Sequence, residues 1–195
     1  LFNFNQKFID EYLPYTIELG RSFVQPNYQP SSGNKKAIFS LDNLWDGLGA
    51  LVVDNPEVKH FFGKVTMYLD FHKLGRDYIL GFFKHFFSDK EKLVTPIKAL
   101  ELHYNINEFI NEISDLEFKD AYRLLSQKNK ELGANVPPLI GAYMNLSASM
   151  KSFGTALNQK FGDVEETGIL ISIEDIYPNK KERHITTYKK VGNGN

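Results

Sequence analysis

The sequence predicts a single mixed α/β domain over residues 1–185, with a frayed tail at 186–195. Three observations carry this. Strand-forming residues cluster at 15–24, 61–68 and 168–173. Between them apolar residues return at helical spacing, as in Leu41, Leu44, Trp45, Leu48 and Val52. A chain of 195 residues is also long enough to bury one substantial core.

In order, Asn3 and Phe4 predict a strand end, and Phe8 to Leu13 a short helix stopped by Pro14. A strand follows at 15–24, then a loop at 25–36 rich in Pro, Asn, Ser, Gly and Lys. Ser40 is the expected N-cap of the Leu41 helix, with Asp42 in its first turn and a stop near Asn55 and Pro56. Gly47 and Gly49 interrupt that helix, and such glycines often let another backbone pack close. Residues 61–68 form the next strand. A helix after Gly75, Arg76 and Asp77 carries the stripe Ile79, Phe82, Phe83 and Phe86. Residues 89–107 give no clear pattern. Phe118, Ala121, Tyr122, Leu125 and Leu132 mark a helix closed by Gly133. Pro137 and Pro138 open another, running to about Leu146. Two late strands follow, one from Met150 towards Leu157 and one at 168–173.

Composition narrows the function. A net charge of −1 argues against binding nucleic acid by neutralising phosphates. With no cysteine, disulfides, thiolate metal sites and cysteine nucleophiles are excluded. His60, His72, His103 and His184 show no metal-ligand spacing, so no metal is expected. No apolar run is long enough to span a membrane, and no signal peptide is visible. The first residue is Leu rather than Met, which suggests a trimmed chain. The basic stretch Lys180, Lys181, Arg183, Lys189 and Lys190 reads as a solvated end before it reads as a docking site.

The chemistry concentrates in Glu-Leu-Gly-Arg-Ser-Phe-Val, residues 18–24. Glu18 and Arg21 interrupt an apolar strand and would point to opposite faces unless a bulge near Gly20 turned both to one cleft. Such a bulge would also free backbone N–H donors. Taken alone, the pair reads most simply as a structural ion pair.

This stretch resembles the Glu-x-Ser/Gly-Arg-x-x-Val signature of acyl-homoserine-lactone synthases, N-acyl amino acid synthases and ornithine-lipid N-acyltransferases. These are long-chain acyl branches of the GNAT superfamily, one of which carries the label "haemolysin". Two later blocks extend the likeness. Residues 132–144, with Pro-Pro-Leu-Ile-Gly-Ala-Tyr, are similar to that branch's Pro-Pro-Leu-x-x-x-Tyr helix. Residues 158–162 and 168–173 resemble its Asp-x-x-Phe-x-Thr segment and terminal strand, so the likeness covers roughly residues 10–176.

The resemblance implies a GNAT-like, mixed and mostly antiparallel sheet flanked by helices, with further strands before Leu1. It implies transfer of a long acyl chain to the amine of an amino acid or amino lipid, in lipid biosynthesis. Glu18 is then a general base, Gly20 lies at the oxyanion donors, and Arg21 holds Glu18 or binds an acceptor carboxylate. Ser31, Ser32, Gly33, Lys35 and Lys36, ahead of a helix N-terminus, are candidates to hold a phosphate. The usual CoA loop is not cleanly present. That favours the phosphopantetheine of acyl carrier protein as donor over acyl-CoA, with no permanently bound cofactor. Phe82, Phe83 and Phe86 are candidate walls of an acyl pocket, although a phenylalanine stripe at helical spacing is more often core. His85 and Asp89 are one residue too close for the His-x4-Asp motif of glycerolipid acyltransferases. A cytoplasmic location with peripheral membrane contact is expected. The alternative is a non-catalytic lipid-binding or membrane-active protein, which the lack of a cationic amphipathic helix disfavours.

Overall fold

The computed structural model describes residues 1–20, 25–28, 40–186 and 188. Arg21, Phe23, Val24, Ser31, Ser32, Gly33, Lys35, Lys36 and most of the expected tail lie outside the described residues, as do the side chains of Ser40, Leu41 and Asp42. In chain order the strands are β1 (Phe2–Phe4), β2 (Thr16–Leu19), β3 (His60–Met67), β4 (Val94–Pro96), β5 (Lys151–Asn158) and β6 (Val164–Ser172). The helices are α1 (Ser40–Asp54), α2 (Lys73–Phe86), α3 (Asn107–Ser114), α4 (Phe118–Glu131), α5 (Pro138–Met144) and the short α6 (Pro178–Lys181).

The main sheet has the order β2-β3-β6-β5. β2 runs parallel to β3, while β3–β6 and β5–β6 are antiparallel. This mixed, mostly antiparallel sheet with flanking helices is an α/β architecture consistent with a GNAT-like fold. β1 and β4 form a separate antiparallel pair.

Alternation along β3 divides the interior in two. Phe61, Val65 and Met67 join Ile79, Phe82, Phe83, Ile169 and Ile171 in the larger cluster, under the helices. Phe62 points the other way, into a smaller cluster with Phe8, Leu93, Val94, Phe153 and Leu170. The N-terminal segment and β4 therefore cover the face of the sheet that the helices leave.

Several local departures have physical causes. Pro14 does not end the helical segment. The turn Phe8–Tyr12 continues as a tighter turn, Leu13–Tyr15, where proline occupies an early position whose N–H has no partner to lose. The described part of the 15–24 strand is only Thr16–Leu19. β6 starts at Val164, earlier than its apolar run, because Glu165 and Glu166 are themselves buried. Asn158 Nδ2 donates to Glu166 at 2.7 Å, and Glu165 meets Arg76.

Arg76 is 2% exposed and ties three segments together. Its Nε donates to Glu165 Oε2 at 2.7 Å, and its Nη1 donates to Asp77 Oδ1 at 2.6 Å and to the Glu101 carbonyl at 2.9 Å. The other Asp77 oxygen accepts the backbone N–H groups of His103 and Tyr104. Burial alone would disfavour the charged guanidinium, but the hydrogen bonds to Glu165 and Asp77 outweigh it and raise its pKa. Removing one member of such a buried set typically costs about 3–5 kcal/mol.

Of the basic stretch, Lys189 and Lys190 lie outside the described residues, while Lys180, Lys181 and Arg183 stand in or beside a turn that is packed. The turn Glu182–Thr186 packs on α1 and buries His184, whose Nδ1 lies 2.7 Å from Asp46 Oδ1. Gly49 makes this contact possible, because a Cβ there would collide with the His184 carbonyl. Nothing lies within 4 Å of the equivalent position at Gly47. In urea denaturation, Gly49→Ala should therefore lose about 1–3 kcal/mol of stability. Gly47→Ala should instead gain up to about 1 kcal/mol through helix propensity. Equal effects at the two positions would mean that the backbone contact is not what Gly49 serves.

Candidate active site

β2 and β3 build the candidate site. Their parallel register sets Glu18 beside Phe62, and Lys64 follows two residues later on the same face of β3. Lys64 Nζ lies 3.1 Å from Glu18 Oε1, with the side chains 31% and 59% exposed. An ion pair this open to water contributes about 0–1 kcal/mol. Stability is thus a weak reason for its presence.

The pair edges a cleft of about 280 Å³. Thr16 and Phe62 form its sheet side, while Leu1, Phe2, Phe4, Phe8 and Leu13 supply an apolar wall from the N-terminal segment. The wall is fixed by ring contacts. Phe62 meets Phe4 edge-on at 5.6 Å and Phe8 at 6.0 Å. Asn5 anchors the segment further, with its backbone N–H donating to the Leu93 carbonyl and its side chain accepting from Phe8 N. The result is an apolar groove with one anion and one cation at its edge.

β2 has a strand partner on one side only among the described residues, so backbone groups on its outer edge are not used within the sheet. Pairing with β3 is regular up to Leu19, which faces Gly63, and the strand stops before Gly20. The described strand therefore contains no bulge. Gly20 has nothing within 4 Å of its missing Cβ, leaving open space beside the backbone there.

Phe82 and Phe83 do not meet Glu18. They lie at 0% and 1% exposure in the helix-side cluster, on the opposite face of the sheet. Phe86 is half-buried beside them, its ring 4.6 Å from Phe82 and 5.6 Å from Phe118. The aromatic wall next to Glu18 comes instead from Phe2, Phe4, Phe8 and Phe62. Asp89, the acid near His85, caps a turn by accepting from Leu93 N at 2.5 Å. Among the described residues no group of three or more His, Asp or Glu side chains is arranged to hold a metal ion.

Sequence reasoning missed Lys64. A signal existed, since Lys64 is the single Lys, Arg, Asp or Glu in β3. Tyr143 is a second unassigned group. It is 6% exposed, stands edge-on to Trp45 at 5.4 Å, and brings its hydroxyl near Gly63 on the helix side of the β2–β3 pair. Burial pushes its pKa up to about 12. On the cleft side, burial and then Lys59 lower the pKa of His60, whose ring lies 5.1 Å from Tyr12.

No family model matches the chain, and no solved structure matches it. Curated relatives do. The chain is 52% identical over 190 residues to a glycine N(alpha)-acyltransferase of Phocaeicola vulgatus, covering 97% of this chain and 58% of that protein. It is 53% identical over 188 residues to a glycine N(alpha)-acyltransferase of Bacteroides thetaiotaomicron, covering 96% of this chain and 56% of that protein. The chain thus spans somewhat more than half the length of the relatives it matches. No helix among the described residues is long and apolar enough to cross a membrane.

Tyr143 yields a pH test. Its folded pKa exceeds that of an exposed tyrosine, so its contribution to stability is fully present below about pH 10 and is lost as pH rises through about 12. The absorbance difference between the wild type and Tyr143→Phe should show a phenol titrating near 12. A step at pH 10 would mean that the hydroxyl is not buried.

Proposed function

We propose that this chain carries the N-acyl transfer reaction for which its relatives are named, moving an acyl group from a thioester to the amine of glycine. The observation that carries this reading is identity above 50% along nearly the whole chain to two glycine N(alpha)-acyltransferases. The charged edge of an apolar cleft supports it, since the reaction joins a polar amine to a greasy donor.

In the proposed mechanism the acyl chain lies along Phe2, Phe4, Phe8, Leu13 and Phe62. Glu18 accepts a proton from the glycine ammonium, directly or through water, and so frees the nitrogen lone pair. The nitrogen bonds to the thioester carbonyl carbon, the carbon–sulfur bond breaks, and the second nitrogen proton goes to the departing thiolate. N–H groups at the open edge of β2 near Gly20 are the candidate oxyanion donors. Arg21 and the 31–36 segment keep their proposed roles as a positioning group and a phosphate site. We take the donor to be a long-chain acyl carrier protein and the product to be an N-acylglycine lipid.

Mass spectrometry after incubation with palmitoyl carrier protein or palmitoyl-CoA and a pool of amines should show N-palmitoylglycine. Glu18→Gln should lower turnover by about 100- to 10,000-fold while the thermal midpoint stays close to that of the wild type. Unchanged turnover in the variant would remove Glu18 as the base. No amide product from either donor would remove the acyl-transfer reading.

A further inference from the structure

We propose that Glu18 and Lys64 together form a receptor for a zwitterionic α-amino acid, in which Lys64 binds the acceptor's α-carboxylate while Glu18 takes its ammonium. This assignment rests on the acyl-transfer reading and makes Lys64 the residue that selects amino acids over plain amines.

Five points lead to it. The two charges sit on neighbouring strands, on one face, 3.1 Å apart, and both are open to solvent. An α-amino acid presents the complementary pair, an ammonium and a carboxylate joined through one carbon. Each side chain also has spare capacity. A lysine ammonium has three donors and a carboxylate about four acceptor positions, so one mutual contact leaves most of them for a ligand.

Lys64 is also the only cationic side chain among the described residues that line the cleft. The rest of the wall is Leu, Phe and Thr, and an apolar wall cannot satisfy a carboxylate. Among the described side chains that line the cleft, Lys64 alone offers a carboxylate a countercharge. The position of Lys64 adds to this. It stands in a strand otherwise made of apolar residues, threonine, glycine and histidine, where a charge needs a purpose. Finally, Lys64 and Glu18 flank Phe62, so an amino acid held between them presents its nitrogen next to the aromatic wall.

The test compares glycine with glycinamide, which keeps the amine and lacks the carboxylate. With a fixed acyl thioester, the wild type should favour glycine in kcat/KM. Lys64→Met should lower that preference about 10- to 100-fold, the usual value of a charge-assisted contact, through KM for glycine more than through kcat. Lys64→Arg should restore most of the preference, which separates charge recognition from loss of fold. Calorimetric titration of glycine and glycinamide without donor gives a second readout that needs no turnover. Glycine should bind more tightly than glycinamide, and only while residue 64 is cationic.

An unaltered glycine preference in Lys64→Met would overturn the assignment. So would loss of the preference in Arg21→Met alone, which would move the carboxylate site to Arg21. Calorimetry that fails to distinguish the two ligands in the wild type overturns it as well. Absence of any N-acyl product, with glycine still bound through Lys64, would sink the transfer reaction and leave the receptor standing.

Discussion

The two-residue alternation of β3 is the constraint on which both fold and site depend. One set of its side chains, Phe61, Val65 and Met67, is drawn into the helix-side core. The intervening set includes Phe62 and Lys64, which face the cleft. Eight consecutive pairs with β6 hold this phase, from His60 opposite Ser172 to Met67 opposite Glu165. A slip of one residue would send Lys64 into hydrocarbon and Val65 into water, so core packing indirectly guards the charge at the cleft. The parallel partner β2 then needs only four residues to carry Glu18 to the same edge.

The Arg76 cluster does for the opposite end of β3 and β6 what apolar packing does elsewhere. Glu165 pairs with Met67 at the last rung of the central ladder, and Arg76 links that rung to α2 and to the 101–104 segment. Buried charge rarely adds net stability over an apolar substitute, but its hydrogen bonds are directional. Here they give a loop without regular structure a fixed place, through the one Asp77 oxygen that accepts two of its backbone N–H groups.

Much of this arrangement was legible in the sequence. α1, α2, α4, α5 and β3 could be read from period and punctuation because each buries a face of its own. α3 was missed although Ile106, Phe109, Ile110 and Ile113 return at helical spacing, with Gly81 leaving room for Ile106 and Ile110 against α2. β4 was illegible for a different reason. It is three residues long and gains its identity from β1, far away in sequence. The early part of β6 was hidden by two glutamates whose partners lie on other elements. In the site, Glu18 stood out as an acid inside an apolar run. Lys64 could be linked to it only once β2 and β3 were known to be parallel and in register. The phenylalanine stripe of α2 was equally visible, but periodicity does not say which face of a sheet a helix will cover.

Sequence distance has a consequence for how the molecule comes into being. Phe61 pairs with Ile171, and Asp46 meets His184 across 138 residues. On the ribosome β3 must wait for about a hundred further residues before its antiparallel neighbour exists. Until then its apolar face and a bare strand edge are exposed together, the combination that invites pairing with other nascent chains. The helices between β3 and β5 can form earlier because their contacts are more local. The face bearing Glu18 and Lys64 therefore completes its shape only after β6 has emerged.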